Sequence, residues 1–324
     1  MRKVFFIVVL ALVCGVAVTS PAKSARDWLK SMSMAVKTLN YEGVFVYIHG
    51  KKIESMKIVH QADEHGERER LLSLNGSARE IIRDNDRLTC ILPDNKAVVV
   101  EKSRPRKYIP EALLRVNRKL EKHYRLAVLG NDRVAGLAVK VVAIIPRDKF
   151  RYGHRLWLDK KTGMLLRSDV VNEKGVAVEQ FMFTHIKFMK KVDDKSLKPD
   201  ITGKVFKSFK WYRPRAKKPS TTKAKSKWKV SGMPAGFKQS MYAEHGLPTS
   251  RMPVDHFVLT DGLSSVSVYV EKTANKRKLL KGTSNMGAVN AFGKVVHGYQ
   301  VTVVGEVPKA TVILIGRSVK PVKK

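Results

Sequence analysis

The sequence predicts an α+β fold in two domains: a large antiparallel sheet that curls, with amphipathic helices over it, and a small antiparallel α+β domain. Three observations carry this. The chain has 324 residues, more than one core usually organises, with a globular hydrophobic content of 44%. From Tyr41 onward, short strand-like runs recur between tight turns. Between Lys204 and Lys229, eleven Lys/Arg occur without one acid, which marks a solvated linker between the two halves.

Arg2 and Lys3 precede an uninterrupted apolar stretch, Val4 to Val18, and small residues at cleavage spacing follow in Ser20-Pro21-Ala22. This is the pattern of a secretory signal peptide over residues 1–22, with an apolar run short for a membrane span. Ala25, Trp28, Leu29, Met32, Val36 and Leu39 then recur at helical spacing and predict one amphipathic helix. The period changes at Tyr41, where Tyr41, Gly43, Phe45 and Tyr47 alternate with Glu42, Val44, Val46 and Ile48. Turns are expected at Gly50-Lys51-Lys52, Asp63 to Gly66, Asn75-Gly76, Asp84 to Asp86 and Pro93 to Asn95. Asn-Gly in particular favours the positive φ angles of a type I′ hairpin. Pro110 to His123, carrying Leu113, Val116 and Leu120, predicts a second helix opened by its proline.

Strands resume at Leu126–Leu129, Leu137–Ile145, His154–Asp159, Met164–Asn172 and Val176–Phe188, giving a first domain over 25–203. After the linker, 204–229, strands are expected at Phe237–Ala243, His256–Thr260, Ser264–Glu271 and Tyr299–Val304. A helix closes the small domain, 230–318, at Pro308 to Ser318, although Thr311-Val312-Ile313 is β-branched.

Lys and Arg number 63 against 28 Asp and Glu, a formal charge of +35. An excess of that size points to anionic partners and says nothing about fold. Export sets nucleic acid aside and leaves anionic lipid and acidic protein. Two cysteines exclude a disulfide scaffold and a multi-cysteine zinc module, and signal cleavage leaves Cys90 alone.

There is no G-x-S-x-G and no H-E-x-x-H; Gly282 and Gly287 have Walker-like spacing, but Ala288-Val289 stand where Lys and Ser/Thr must be. His60 and His65 flank a turn at a spacing that suits no standard metal site and read as loop histidines. Glu69, Glu80 and Glu179 read as outward partners of Arg70, Arg79 or Arg83. The expectation is a chain with no catalytic residue, no metal and no cofactor.

A curled sheet roofed by helices could accept acyl chains on its concave face, each buried methylene contributing ~0.8 kcal/mol. Phe45, Tyr47, Met56, Ile58, Val99 and Trp157 are the candidate lining, with core packing as the plainer role for each. Lys210, Arg213, Arg215, Lys217 and Lys218 are the basic linker's candidate contacts, against a spacer without a partner.

Trp28-Leu29 with Met32, Asn40-Tyr41-Glu42-Gly43, and Glu69-Arg70-Leu71 through Leu74-Asn75-Gly76 to Arg79-Glu80-Ile81-Ile82-Arg83 resemble the MucB/RseB family. Tyr152 to Asp159, Thr162 to Ser168, Thr260 to Glu271, Gly287 to Gly293 and Gly298 to Pro308 are similar to further blocks of that family in the same order. The resemblance implies periplasmic regulators of the sigma-E envelope-stress response, whose large domain is an unclosed β-barrel with helices in its mouth, like the lipoprotein carriers LolA and LolB. It implies binding of the periplasmic part of a single-pass anti-sigma factor, shielded from the site-1 protease, with release by lipopolysaccharide or mislocalised lipoprotein. On that reading the lipid occupies the large-domain cleft and the small domain holds the anti-sigma segment, with Arg251, Tyr269, Phe292 and Tyr299 as candidate contacts. A homo-oligomer is compatible with it. The alternative is a periplasmic carrier of lipoproteins or lipids, for which a second domain would be unnecessary. A basic surface binder without a specific ligand would explain the charge but not the family-like blocks.

Overall fold

The computed structural model describes residues 23–102, 120–200, 210–212, 226–246, 253–273 and 279–322. The expected signal peptide, most of the second expected helix and most of the linker lie outside the described residues. The first helix, α1 (Ala25–Thr38), starts on a capping box: the Ser24 side chain accepts from the Asp27 N–H, and the Asp27 carboxylate accepts from the Ser24 N–H. Its buried face is Ala25, Trp28, Leu29, Met32, Ala35 and Val36, the stripe that the helical spacing predicts.

Eleven strands of one sheet follow: β1 (Asn40–His49), β2 (Lys52–Asp63), β3 (Gly66–Ser73), β4 (Glu80–Asp84), β5 (Arg87–Leu92), β6 (Ala97–Lys102), β7 (Tyr124–Val134), β8 (Leu137–Pro146), β9 (Gly153–Asp159), β10 (Leu165–Val171) and β11 (Ala177–Met189). A twelfth, β12 (Lys210–Tyr212), joins from the expected linker and pairs in parallel with Ala97–Val99. The order is β12-β6-β5-β4-β3-β2-β1-β11-β10-β9-β8-β7, so among the described residues β12 and β7 are the edges and the sheet does not close.

It does curl. Helix α1 touches β2, β7, β8 and β10. In a flat sheet at ~4.8 Å per strand, β2 and β7 would stand ~29 Å apart, far wider than a helix of ~10 Å. One helix reaches both only because the sheet wraps around it. The wrapped core joins Leu29, Met32 and Val36 to Phe45, Ile58, Leu156, Phe181 and Phe183. On the opposite face, Val59 packs with Val192 and Leu197 beneath a short 3-10 turn at Asp194–Leu197.

The smaller sheet holds β14 (Lys238–Gly246), β15 (Pro253–Thr260), β16 (Ser265–Lys272), β17 (Gly282–Met286), β18 (Val289–Val296) and β19 (Tyr299–Glu306) in the order β14-β15-β16-β19-β18-β17. Helix α2 (Lys309–Ser318) packs on β18 and β19. It forms despite its β-branched run because Val312 and Ile315 are fully buried in this sheet's core, and tertiary packing overrides propensity. A two-stranded ribbon, β13 (Trp228–Val230) with β20 (Val319–Pro321), completes it, and Trp228 enters the same core.

Two expectations are corrected, and one hairpin was not expected at all. Lys210–Tyr212 is a strand rather than a spacer: it pairs with β6, which would otherwise leave its backbone groups open at the edge, and the sequence Trp211-Tyr212 has strand propensity. The Walker-like glycines instead punctuate the hairpin β17–β18, which the sequence reading missed; Gly287 takes φ +60° in its turn. Asn75-Gly76 is no type I′ turn, since only Gly76 has positive φ. The Asn75 side chain accepts from the Ser55 N–H at 2.7 Å and donates to the Ile53 carbonyl at 2.8 Å, pinning a longer loop to β2.

Met32 is fully buried between α1 and the sheet. Met32→Ala should lower unfolding free energy by about 2–5 kcal/mol in denaturant titration. A loss below about 1 kcal/mol would show that the sheet does not depend on the helix for its core.

Candidate functional site: the junction between the two sheets

The loop between β8 and β9 carries Asp148, Phe150, Arg151 and Tyr152; the last three meet the small-sheet half through polar contacts, and Asp148 braces Arg151 from within the loop. The Arg151 side chain has 0% exposure, as does that of Asp261 in the β15–β16 turn. One terminal nitrogen of Arg151 donates to Asp261 Oδ2 at 2.7 Å, and the other donates to the Ala235 carbonyl at 2.6 Å. Its Nε donates to Asp148 Oδ1 at 3.0 Å. The guanidinium lies over the rings of Tyr124 and Phe237, at 5.5 and 5.3 Å.

Asp261 is shared. Its Oδ2 also accepts from the Tyr124 hydroxyl at 2.9 Å, and its Oδ1 accepts from the N–H groups of Leu263 and Ser264 at 2.9 and 2.7 Å. Burial, then the Asp261 charge, holds the Tyr124 hydroxyl well above the usual phenol range. Leu263, from this same turn, inserts into the large sheet's core. His154 is buried nearby; burial pushes it down to about 4, against the opposing pull of Asp261.

A second contact runs through Glu179. Its Oε2 accepts from the Tyr47 hydroxyl at 2.7 Å, and its Oε1 accepts from the Ala288 N–H at 3.2 Å. Burial, then Glu179, raises the Tyr47 hydroxyl far above its ordinary value. Gly50 and Gly287 meet here backbone to backbone, at φ +58° and +60°. A third contact is polar: Asn290 Nδ2 donates to the Tyr152 hydroxyl at 2.9 Å, and the Thr311 hydroxyl donates to the Phe150 carbonyl at 2.6 Å.

Cross-strand register sorts the expected lining residues. Phe45, Tyr47, Met56 and Ile58 share the face turned to α1 and are buried in the core. The row Ile58, Leu71, Ile81, Cys90, Val99 continues that face outward, and Val99 is half-buried. Trp157 stands apart by register, pairing with Arg167 while its neighbour Leu156 pairs with Ser168 opposite Phe181, yet it is buried and joins the same large core cluster. Arg167 covers its ring at 4.2 Å and Asp132 accepts from its Nε1–H at 2.8 Å.

Among the partner candidates, Tyr269 stacks on His256 at 4.3 Å, on the face of the small sheet away from α2. Phe292 packs beneath Gly316 of α2, and Tyr299 packs edge-on to Trp228 at 5.2 Å, so both support the small core. Arg251, Arg213, Arg215, Lys217 and Lys218 lie outside the described residues, and Lys210 sits in β12. Glu69, Glu80 and Glu179, expected to face outward, are all buried. Sequence reasoning missed Arg151, Asp261, Tyr124 and Asn290. Asp261 showed only as a turn residue, and its partner is 110 positions away.

Residues 24–201 match the MucB/RseB N-terminal domain, and residues 222–320 match the MucB/RseB C-terminal domain. The chain is 31% identical over 329 residues to the sigma factor AlgU regulatory protein MucB of Pseudomonas aeruginosa, covering 99% of this chain and 98% of that protein. It is 25% identical over 308 residues to the sigma-E factor regulatory protein RseB of Escherichia coli, covering 94% and 92%. Among solved structures it is similar to the complex of Pseudomonas aeruginosa MucA/MucB, with a TM-score of 0.71 at 27% identity over 93% of this chain and 99% of that one. A crystal structure of MucB matches with a TM-score of 0.59 at 27% identity, over 92% and 98%.

Asp261→Ala leaves a buried guanidinium short of its partner and should cost about 3–5 kcal/mol. Adding Arg151→Met should recover a large part of that loss. A double variant as unstable as the two singles combined would break the pairing argument. For His154, the unfolded chain takes up its proton near 6.5 and the folded chain only near 4. The unfolded state therefore binds more protons between those values, and stability falls as pH drops through that window, by about 3 kcal/mol in all. His154→Gln should flatten the slope of unfolding free energy against pH; an unchanged slope assigns it to other groups.

Proposed function

The chain belongs to the MucB/RseB family, and we propose that it works in the periplasm, holding the periplasmic segment of a single-pass anti-sigma factor. Held there, the segment is shielded from the protease that starts its degradation, and the envelope-stress sigma factor stays off. The observation that carries this reading is the similarity, across both sheets, to MucB solved in complex with the periplasmic part of MucA. The two-sheet arrangement scores 0.71 against MucB in that complex and 0.59 against MucB by itself, which supports taking it as the partner-holding arrangement.

Release by lipopolysaccharide or lipoprotein acyl chains is the finer part of the proposal. Its support is the continuity between core and junction. Tyr47, a candidate lining residue, reaches Ala288 of the small sheet through Glu179, and Leu263 of the small sheet sits in the core that acyl chains would enter. Acyl chains in that core would compete with Leu263 and loosen the junction. A plain carrier of lipids would gain nothing from the buried Arg151–Asp261 pair, which weighs against that alternative.

The test is proteolysis of the anti-sigma segment by the site-1 protease with and without this protein. Cleavage should slow with the protein present and recover on adding lipopolysaccharide. Equal cleavage with and without it sinks the regulator reading; protection that lipopolysaccharide leaves intact keeps the inhibitor and discards the releasing signal. Tyr269→Ala should weaken segment binding at least tenfold in calorimetry at an unchanged melting temperature. Unaltered affinity removes Tyr269 from the contact.

A further inference from the structure

The loop that holds Arg151 has another side. Where β8 leaves the large sheet, β9 enters it and β10 turns into β11, the outer face carries a trough of about 480 Å³, a volume within the range of ligand sites. Register puts it there: Ala143 lies across from Arg155, alternating with the pair Val142 and Leu156 that belongs to the core beneath α1. Ala143, Ile145, Pro146 and Val171 make its floor, and Arg147, Lys149 and Arg155 stand along it as exposed cations. We propose that this trough docks the protein on an anionic phospholipid surface, with a headgroup phosphate at Arg155 and acyl chains against Leu129 and Val176.

Both banks are apolar and held by the backbone. Leu129 is the extra residue of a bulge in β7, where pairing jumps from Val128 to Gly130, and it is 53% exposed. Across the trough, the β10–β11 turn is pinned by Asn172, whose Oδ1 accepts from the N–H groups of Lys174 and Val176, both at 3.0 Å. That turn presents Val176 at 57% exposure. A single exposed leucine or valine needs no explanation. Two of them, fixed by backbone on either side of one trough with cations between them, need one.

The charge is uncommitted. Arg155 has no carboxylate or carbonyl partner among the described residues, in contrast to Arg151 and Arg167, each held by an aspartate. Arg147 spends its Nε on the Glu121 carbonyl at 3.3 Å and meets no acid among the described residues. Of the two acids at the trough, Asp148 is engaged by Arg151 at 3.0 Å, so only Glu173 offsets the three cations. An extended peptide would draw its affinity from backbone partners, and β8, β9 and β10 each already have a neighbour on both sides. A lipid asks only for cations at its phosphate and apolar contact for its chains. Near an anionic surface each cation strengthens binding roughly fivefold, and one buried leucine side chain at least about tenfold.

The experiment is sedimentation with vesicles of equal parts phosphatidylglycerol and phosphatidylcholine, using the chain from Lys23 onward, which is free of the apolar stretch Val4 to Val18. No anti-sigma segment is needed for the measurement. Binding should saturate, and vesicles of phosphatidylcholine alone should bind at least about tenfold more weakly. Leu129→Ser with Val176→Ser keeps every charge and should weaken binding at least about tenfold at an unchanged melting temperature. Arg155→Gln should cost roughly fivefold, whereas Lys57→Gln, an equal loss of charge at an exposed position of β2, should cost less than about twofold. Equal losses from Arg155→Gln and Lys57→Gln would trace the binding to net charge alone and overturn the site, as would full affinity in the double serine variant. Displacement from the vesicles by inorganic phosphate at the lipid's own concentration would leave an anion pocket without a membrane contact, and overturns it equally.

Discussion

A guanidinium with no access to water must find all its partners in protein, and Arg151 imposes that demand on the whole junction between the sheets. Its contacts come from three separate stretches: Asp148 in its own loop, Asp261 in the β15–β16 turn and the Ala235 carbonyl ahead of β14. None of these can shift by an ångström without stranding a charge in a low dielectric, where an unmatched ion costs several kcal/mol. The aromatic faces of Tyr124 and Phe237 close the remaining sides. Asp261 in turn spends its second oxygen on the backbone of its own turn, so the geometry of the ion pair is also the geometry of the hairpin. A buried pair of this kind adds little net stability relative to a well-packed apolar substitute. What it supplies is orientation: apolar surfaces slide over one another, and this one has a single register.

The same orientation explains why the large core and the junction cannot be treated apart. Leu263 enters the core only because the turn that bears it is held by Asp261, and Tyr47 is aligned by the carboxylate that also receives the Ala288 N–H. Gly50 and Gly287 allow this second contact: each takes a left-handed φ, and a side chain on Gly287 would press on Glu179 Oε1 at 3.1 Å. The concave face therefore ends in two different kinds of surface. Toward Gly50 it is closed by the small sheet, and toward Tyr41 it is closed by the polar group of His60, Glu67 and Glu69, in which His60 is a buried residue of β2 and not a loop histidine.

Much of this architecture was legible. The helical stripe of α1, the change of period at Tyr41 and most strands of the large sheet follow from local pattern, because burial on one face writes itself into alternation. The hairpin β17–β18 did not, since Gly282, Gly287 and Gly293 dilute the alternation; Gly293 is needed because Leu280 leaves no room for a side chain. Faces were harder than strands. Trp157 reads as a lining residue by composition, and only the pairing of Leu156 with Ser168 sets it apart by register. The polar constellations were invisible for a related reason. Arg151 with Asp261, Tyr47 with Glu179 and His60 with Glu69 are cross-strand or cross-sheet pairs, and motif spacing searches along one strand.

The magnitudes decide what can open such a junction. Driving a partner complex from 99:1 to 1:99 takes ~5.5 kcal/mol of differential affinity, equal to about seven methylenes at ~0.8 kcal/mol each. Expelling Leu263 from the core costs ~1.5–3 kcal/mol of apolar burial, less than one long acyl chain returns. Separating Arg151 from Asp261 exposes both ions to water, and rehydration offsets much of the Coulomb energy lost. On the proposed reading, an acyl chain entering the core would therefore outweigh Leu263's hold on it. The formal charge of +35 acts at another stage. Exposed charges are screened within ~8–10 Å at ordinary salt, so they speed encounter with an anionic segment or lipid headgroup but do not distinguish the closed junction from the open one. On the proposed release by lipid, the capacity to switch would lie in the apolar core beneath Leu263, and the surface charge would govern how fast an anionic ligand arrives.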